Sequence, residues 1–241
     1  MEDQIVPLSE NQTFCFSCSP EVPCFNECCR DLTQFLTPYD ILRLKQHLDI
    51  PSDAFIKQYT TRYDGPRSGL PVITLKPVQG PGSVCSFVTP KGCAVYDSRP
   101  SSCRIYPLMR GVGRCRETGK LTEQYALIRE SHCRGHEDGK KWTAGQWIAD
   151  QALTRYHKIN DLFLAIIALK NRTGTAPLDL KSKQMFHLAM YDLDNFRRQI
   201  KETDILGPNR PEDTRMDRIL ENDTELLIFG HEWIRQVLFP G

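Results

Sequence analysis

Ten cysteines carry most of the chemistry available to this chain of 241 residues, and they fall in widely separated groups. A thiolate is a nucleophile and a soft metal ligand, and four of them complete a tetrahedral zinc site or an iron–sulfur cluster. The first group is Cys15, Cys18, Cys24, Cys28 and Cys29. Its two adjacent members send their side chains in different directions, which favours a polynuclear centre or two neighbouring sites over one simple zinc knuckle. Cys85, Cys93 and Cys103 are too far apart for one local loop to hold a metal, so they require thiol partners from elsewhere in the chain. Cys133 stands between His132 and His136, and an imidazole can replace a thiolate in Cys3His zinc or Rieske-type sites. Setting aside Cys15 and Cys115 leaves Cys18, Cys24, Cys28, Cys29, Cys85, Cys93, Cys103 and Cys133, enough for two four-ligand sites.

Spacing argues against several familiar arrangements. Zinc ribbons use two short-spaced pairs, whereas only Cys15 and Cys18 form a CxxC here. The CxxxCxxC of radical S-adenosylmethionine enzymes is absent, because Cys28 is followed directly by Cys29. The ferredoxin run C-x2-C-x2-C-x3-C-P is absent as well. Zinc and iron–sulfur both stay open. Several thiolates packed together leave excess negative charge that must be screened or hydrogen-bonded. Arg30, Arg99 and Arg104 sit beside or near the cysteines in sequence and are expected to supply such donors.

The bulk composition narrows the setting. Thirty-one basic residues against 30 acidic ones give a net charge of +1. No global field therefore draws the chain to nucleic acid or an anionic membrane. A hydrophobic content of 40% is adequate for a real core without disulfide staples. The first residues lack the basic and apolar regions of a secretory signal, and no apolar run approaches the roughly 20 residues that span a bilayer. The expectation is a cytoplasmic protein whose cysteines are ligands or redox groups rather than disulfides.

The elements that must position the cysteines can be read in outline. Thr37-Pro38-Tyr39-Asp40 has the hydroxyl cap, early proline and carboxylate of a helix start, with Ile41, Leu44 and Leu48 as its buried stripe. A short second helix begins at Ser52 and buries Phe55, Ile56 and Tyr59. Gly65 to Gly82 reads as turns and hairpins around one strand, Pro71 to Leu75. Ala94 to Tyr96 is expected as a further strand, Arg99-Pro100 as a turn, and Leu121 to Arg129 as a strand. Arg110 to Arg116 is a basic, glycine-rich stretch. Thr143 to Gln146 is a capping box that opens a helix through Trp147, Ile148 and Leu153. Beyond it no cysteine occurs, and three amphipathic stripes follow: Ile159 to Ile167, Met185 to Ile200, and Met216 to Val237. The expected class is α+β, mainly helical. A loop-rich cysteine core with short strands, residues 1–150, is expected to pack against a helical region, residues 151–241.

Three motifs together resemble a known family. They are Cys18-x5-Cys24-x3-Cys28-Cys29-Arg30, then Cys85-x7-Cys93-Ala-Val-Tyr96-x2-Arg99-Pro100-x2-Cys103-Arg104-x-Tyr106-Pro107, then Cys133-x-Gly135. Over about residues 14 to 150 the chain resembles the YkgJ-type cysteine-cluster family of zinc- or iron-chelating proteins. The resemblance implies eight family cysteines, on the same eight positions counted above, with Cys15 and Cys115 as extras. The cysteine module of flagellin lysine N-methylases, proteins that look like iron–sulfur proteins, belongs to the same resemblance.

Three functions follow as expectations. The first is a protein that holds iron–sulfur, iron or zinc centres for redox or structural use. The second is a protein-lysine N-methyltransferase using S-adenosylmethionine, although no glycine-rich strand-to-helix fingerprint is present, Gly111 to Gly113 and Gly80 to Gly82 being too short. The third is a zinc-stabilised interaction module. A protein partner or protein substrate is compatible with each of these.

Overall fold

The Thr37 hydroxyl accepts from the Asp40 amide and the Asp40 carboxylate accepts from the Thr37 amide, so the capping box opens a helix over Pro38–Leu48. This is read from a computed structural model, which describes residues 3–9, 11–78, 83–114 and 121–240. Cys115 and the Gly80 to Gly82 stretch lie outside the described residues. The fold is α+β and mainly helical: nine α-helices among the described residues accompany small antiparallel sheets of two or three strands. No described helix is long and apolar enough to cross a membrane.

The chain divides into two compact units, each discontinuous in sequence. The first comprises residues 1–32, 77–96 and 101–154; the second comprises residues 33–76, 97–100 and 155–241.

In the first unit, strands Gln4–Leu8 and Leu108–Arg114 flank the central strand Leu121–Arg129. The first of these lies in what reads as a polar leader, and its residues Val6 and Leu8 pack on the core. A second sheet joins Thr13–Phe16 to Lys140–Thr143. Between them sits a small core of Phe14, Phe16, Leu108, Leu127, Ala144 and Trp147. Its rings meet edge to face, Phe16 with Trp147 at 5.5 Å and with Tyr106 at 5.7 Å between centroids. The indole N–H groups of Trp142 and Trp147 donate to the Phe16 and Ile105 carbonyls, so neither is buried without a partner.

In the second unit, Pro71–Leu75 is the central strand of a sheet between Phe35–Leu36 and Thr60–Asp64. The hairpin closes through Gly65 and Leu70. Helices Pro38–Leu48, Ser52–Tyr59, Leu180–Met190, Leu193–Glu202, Asp213–Glu221 and Asp223–Leu238 bury Phe55, Phe186, Tyr191, Phe196 and Trp233 almost completely. Lys45, itself largely buried, donates to both carboxylate oxygens of Asp194, and Arg197 bonds Asp223.

Several expectations need correction. The helix opened by the Thr143 box ends at Asp150; Ala152 takes a left-handed conformation, φ 50°, and Leu153 starts a separate helix over Leu153–Arg172. The Met185 to Ile200 stripe is two helices, broken at Tyr191 and Asp192; Ala189, Leu193, Phe196 and Ile200 are buried as expected, joined by Phe186 in place of Met185. Asn222 divides the last stripe, because its side chain accepts from the Thr224 and Glu225 amides and so starts a new helix. Ala94 and Val95 form a turn and Tyr96–Ser98 a 3-10 turn, not a strand; the strand stops at Cys93. Leu162 is exposed, and Leu153, Tyr156, Ile159 and Ile166 are the buried apolar residues described in its helix. The Arg110 to Arg116 stretch is strand through Arg114.

Candidate metal centre

All eight cysteines selected from the sequence lie in the first unit. They are carried by loops and short elements rather than by long helices, which lets backbone amides as well as sulfurs point toward one region. The loop Cys24 to Asp31 is shaped by a left-handed Asn26, φ 70°, and a left-handed Asp31, φ 52°, around the 3-10 turn Glu27–Cys29. The Asn26 side-chain Nδ2 donates to the Thr89 carbonyl at 3.0 Å. Val88–Thr89 and Gly92–Cys93 form a tight hairpin beneath it. Gly92 has φ +113°, and a Cβ there would stand 3.0 Å from the Phe25 ring, so glycine both makes the turn and admits the loop.

A second edge of the loop is pinned by backbone. Arg30 forms an antiparallel bridge with Val84, and the Asp31 amide donates to the Ser83 carbonyl. This sets Cys28 alongside Cys85. The Cys29 thiol beside it, followed by burial, pushes the Cys28 thiol above its ordinary value. Burial likewise raises Cys85, opposed by the Phe87 and Val88 amides, which face its sulfur; Cys28 is near enough to raise it further. Amide donors of this kind favour the charged thiolate, and they do so equally for a thiolate bound to a cation.

The third segment closes from the far end of the sequence. The Arg134 amide donates to the Cys24 sulfur at 3.1 Å. Cys133 lies beside Cys24; burial raises its thiol, opposed by the Tyr106 hydroxyl and the Gly135 amide. Gly135 is required by contact: a Cβ there would sit 2.5 Å from the Ser17 carbonyl oxygen and 2.7 Å from the Phe16 ring. The Ser17 amide donates to the Gly135 carbonyl, which brings the segment leading into Cys18 against the Cys133 loop.

The structure thus brings Cys24 to Cys133, and Cys28 to Cys29 and Cys85. Cys93 is attached to the same loop through the Gly92 contact with Phe25. Cys18 follows Ser17 at the surface, and Cys103 is exposed on the short helix Ser101–Ile105. Among the described residues no disulfide is formed and no group of three or more His, Cys, Asp or Glu side chains is arranged to hold an ion. The donor chemistry, soft sulfurs with amide N–H groups aimed at them, nevertheless fits zinc or iron.

The arginines take different positions. Arg30 is exposed and pairs with Glu27 at 3.7 Å. Arg104 is buried and donates to the Gln151 carbonyl. Arg99 is buried and belongs to the second unit. Of the two histidines, His132 pairs with Glu130 at the surface, while His136 packs its ring 5.2 Å from Phe16 and is held below its ordinary value by burial. Sequence reading missed Glu130 and Tyr106. Burial raises the Tyr106 hydroxyl well above its ordinary value, and Cys133 and Glu130 both lie beside it. Tyr106 is signalled only by the Cys103-Arg104-x-Tyr106-Pro107 motif, and Glu130 by nothing but its nearness to Cys133.

The model of the CxxCxxCC family, described as "Putative zinc- or iron-chelating domain", matches residues 17–137. That span is half of the chain and includes every cysteine discussed except Cys15. The protein belongs to this family of zinc- or iron-chelating cysteine domains. Searches among curated proteins and among solved structures gave no match.

Proposed function

We propose that this protein uses Cys18, Cys24, Cys28, Cys29, Cys85, Cys93, Cys103 and Cys133 to hold zinc or iron, as ions or as iron–sulfur clusters, in two neighbouring sites of the first unit. The observation that carries the reading is the meeting of thiols from distant segments: Cys24 with Cys133, and Cys28, itself beside Cys29, with Cys85. Chain folding brings such groups together against the cost of burying them, which a bound cation offsets by taking the thiolates as ligands. Zinc would make the centre structural, because it has no redox chemistry; iron–sulfur would let it carry electrons. Thiols of this kind persist in a reducing compartment such as the cytoplasm.

The test is anaerobic purification followed by metal analysis and a visible spectrum. The expected result is bound zinc or iron, with charge-transfer absorption if the iron is in clusters. Cys85→Ser and Cys133→Ser should each lose metal and thermal stability together, and Cys15→Ser should lose neither. A protein purified without zinc or iron, or full metal content in both of the first two variants, would overturn the assignment.

A further inference from the structure

The second unit has a cleft that metal binding does not use. It has a volume of about 370 Å³ and is lined by Arg62, Lys181, Gln184, Met185, His187, Leu188, Gln199 and Ile205. Arg62 comes from the strand Thr60–Asp64, and most of the wall comes from one face of the helix Leu180–Met190. Lys181, Gln184, Met185 and Leu188 recur there at the three- and four-residue spacing of a single helix face. Gln199 is contributed by the helix Leu193–Glu202.

The lining is sorted by chemistry. Met185, Leu188 and Ile205 are half-buried and form an apolar floor. Arg62 and Lys181 are exposed cations at the rim, with the amides of Gln184 and Gln199. No Asp or Glu lines the cleft, and among the described residues neither cation makes an ion pair. Asp64 pairs with Lys183 at 2.6 Å, Asp179 caps its own helix through Ser182, and Asp192, whose charge reaches His187, accepts from Ser52 and Asn195. Burial and the nearby Arg62 hold His187 below its ordinary value, so it is a neutral part of the wall at neutral pH. Two unmatched positive charges above an apolar floor, in a space of small-ligand size, complement an anion attached to an apolar body.

We propose that this cleft binds a small organic anion, its carboxylate or phosphate held by Arg62 and Lys181 and its apolar part seated on Met185, Leu188 and Ile205. The guanidinium offers a planar pair of donors to two anion oxygens, and the lysine adds a point charge. Neither contact depends on the cysteines, so the site stands or falls separately from the metal reading.

The experiment is calorimetric titration of the full chain, metal retained, with phenyl phosphate, inorganic phosphate and phenol. Phenyl phosphate should bind saturably at one site, phenol should not bind measurably, and inorganic phosphate should bind about tenfold more weakly for want of the apolar contact. Arg62→Gln and Lys181→Gln, both at exposed positions, should each weaken phenyl phosphate about tenfold, the scale of one hydrogen bond to a charged group. Absence of saturable binding would overturn the proposal. So would binding that is unchanged when both residues are replaced, or phenyl phosphate and inorganic phosphate binding equally well.

Discussion

The two units of this protein hold themselves together by different means. Among the largest fully buried side chains of the described residues, only Leu108 and Leu153 fall in the first unit, whereas Trp233, Tyr191, Phe55, Phe186 and Phe196 fill the second. The second unit buries a large apolar core and adds ion pairs such as Lys45 with Asp194 and Arg197 with Asp223. The first has one small aromatic cluster, strands of mostly two to five residues, and loops whose sulfurs are drawn together at the expense of burial. A core of that size stabilises little by itself, and under the proposed function thiolate–metal bonds would add to it. Reliance on metal should therefore be confined to one part of the chain.

Mutations can separate the two regimes. Phe186→Ala, at a side chain with no exposed surface, should cost about 3–5 kcal/mol in the second unit. Thermal unfolding with metal analysis checks this: the melting temperature should drop while metal content at room temperature stays the same. A loss of metal in this variant would break the contrast between the units.

Acid should act next, again on the second unit. His231 is buried, with Nδ1 set 2.7 Å from the Leu227 carbonyl, and burial holds it down at about 4. A depressed value means that the unfolded chain takes up a proton before the folded one does. The contribution is thus complete above about 6.5 and is lost as pH falls toward about 4, a change on the order of 3 kcal/mol. Denaturant titrations across that window should show the decline, and His231→Gln should flatten it. A slope that the variant leaves unchanged would assign the acid sensitivity to other groups.

Smaller still is the effect of a helix cap in the metal unit. Thr143→Ala removes the hydroxyl that accepts from the Gln146 amide and should cost about 1 kcal/mol. Thr37→Ala removes the equivalent bond in the second unit at a similar cost. The pair sharpens the comparison: chelator sensitivity should increase for Thr143→Ala alone.

Local signals made part of this architecture legible in the sequence. The Thr37 and Thr143 boxes and the strands Pro71–Leu75 and Leu121–Arg129 lie where hydroxyl caps and β-branched or aromatic runs place them. Helix ends were harder, because amphipathic spacing continues across a break. The left-handed Ala152 carries no compositional mark, although Asn222 followed three residues later by Glu225 does. The strand Gln4–Leu8 was hidden because its pairing partner is more than a hundred residues away, and short-range pattern does not record such contacts. Residue type and spacing selected the eight cysteines as a set. Which of them meet depends on Gly92, Gly135 and the Arg30 to Val84 bridge, and these are contacts between segments rather than properties of any one of them.

The most direct measurement is hydrogen exchange by mass spectrometry on the full chain, before and after metal is stripped with a strong chelator under reducing conditions. Loss of metal should expose the amides of Thr13–Phe16 and Leu121–Arg129 while Pro38–Leu48 and Asp223–Leu238 keep their protection. Unchanged protection in the first unit after complete metal removal would contradict the account.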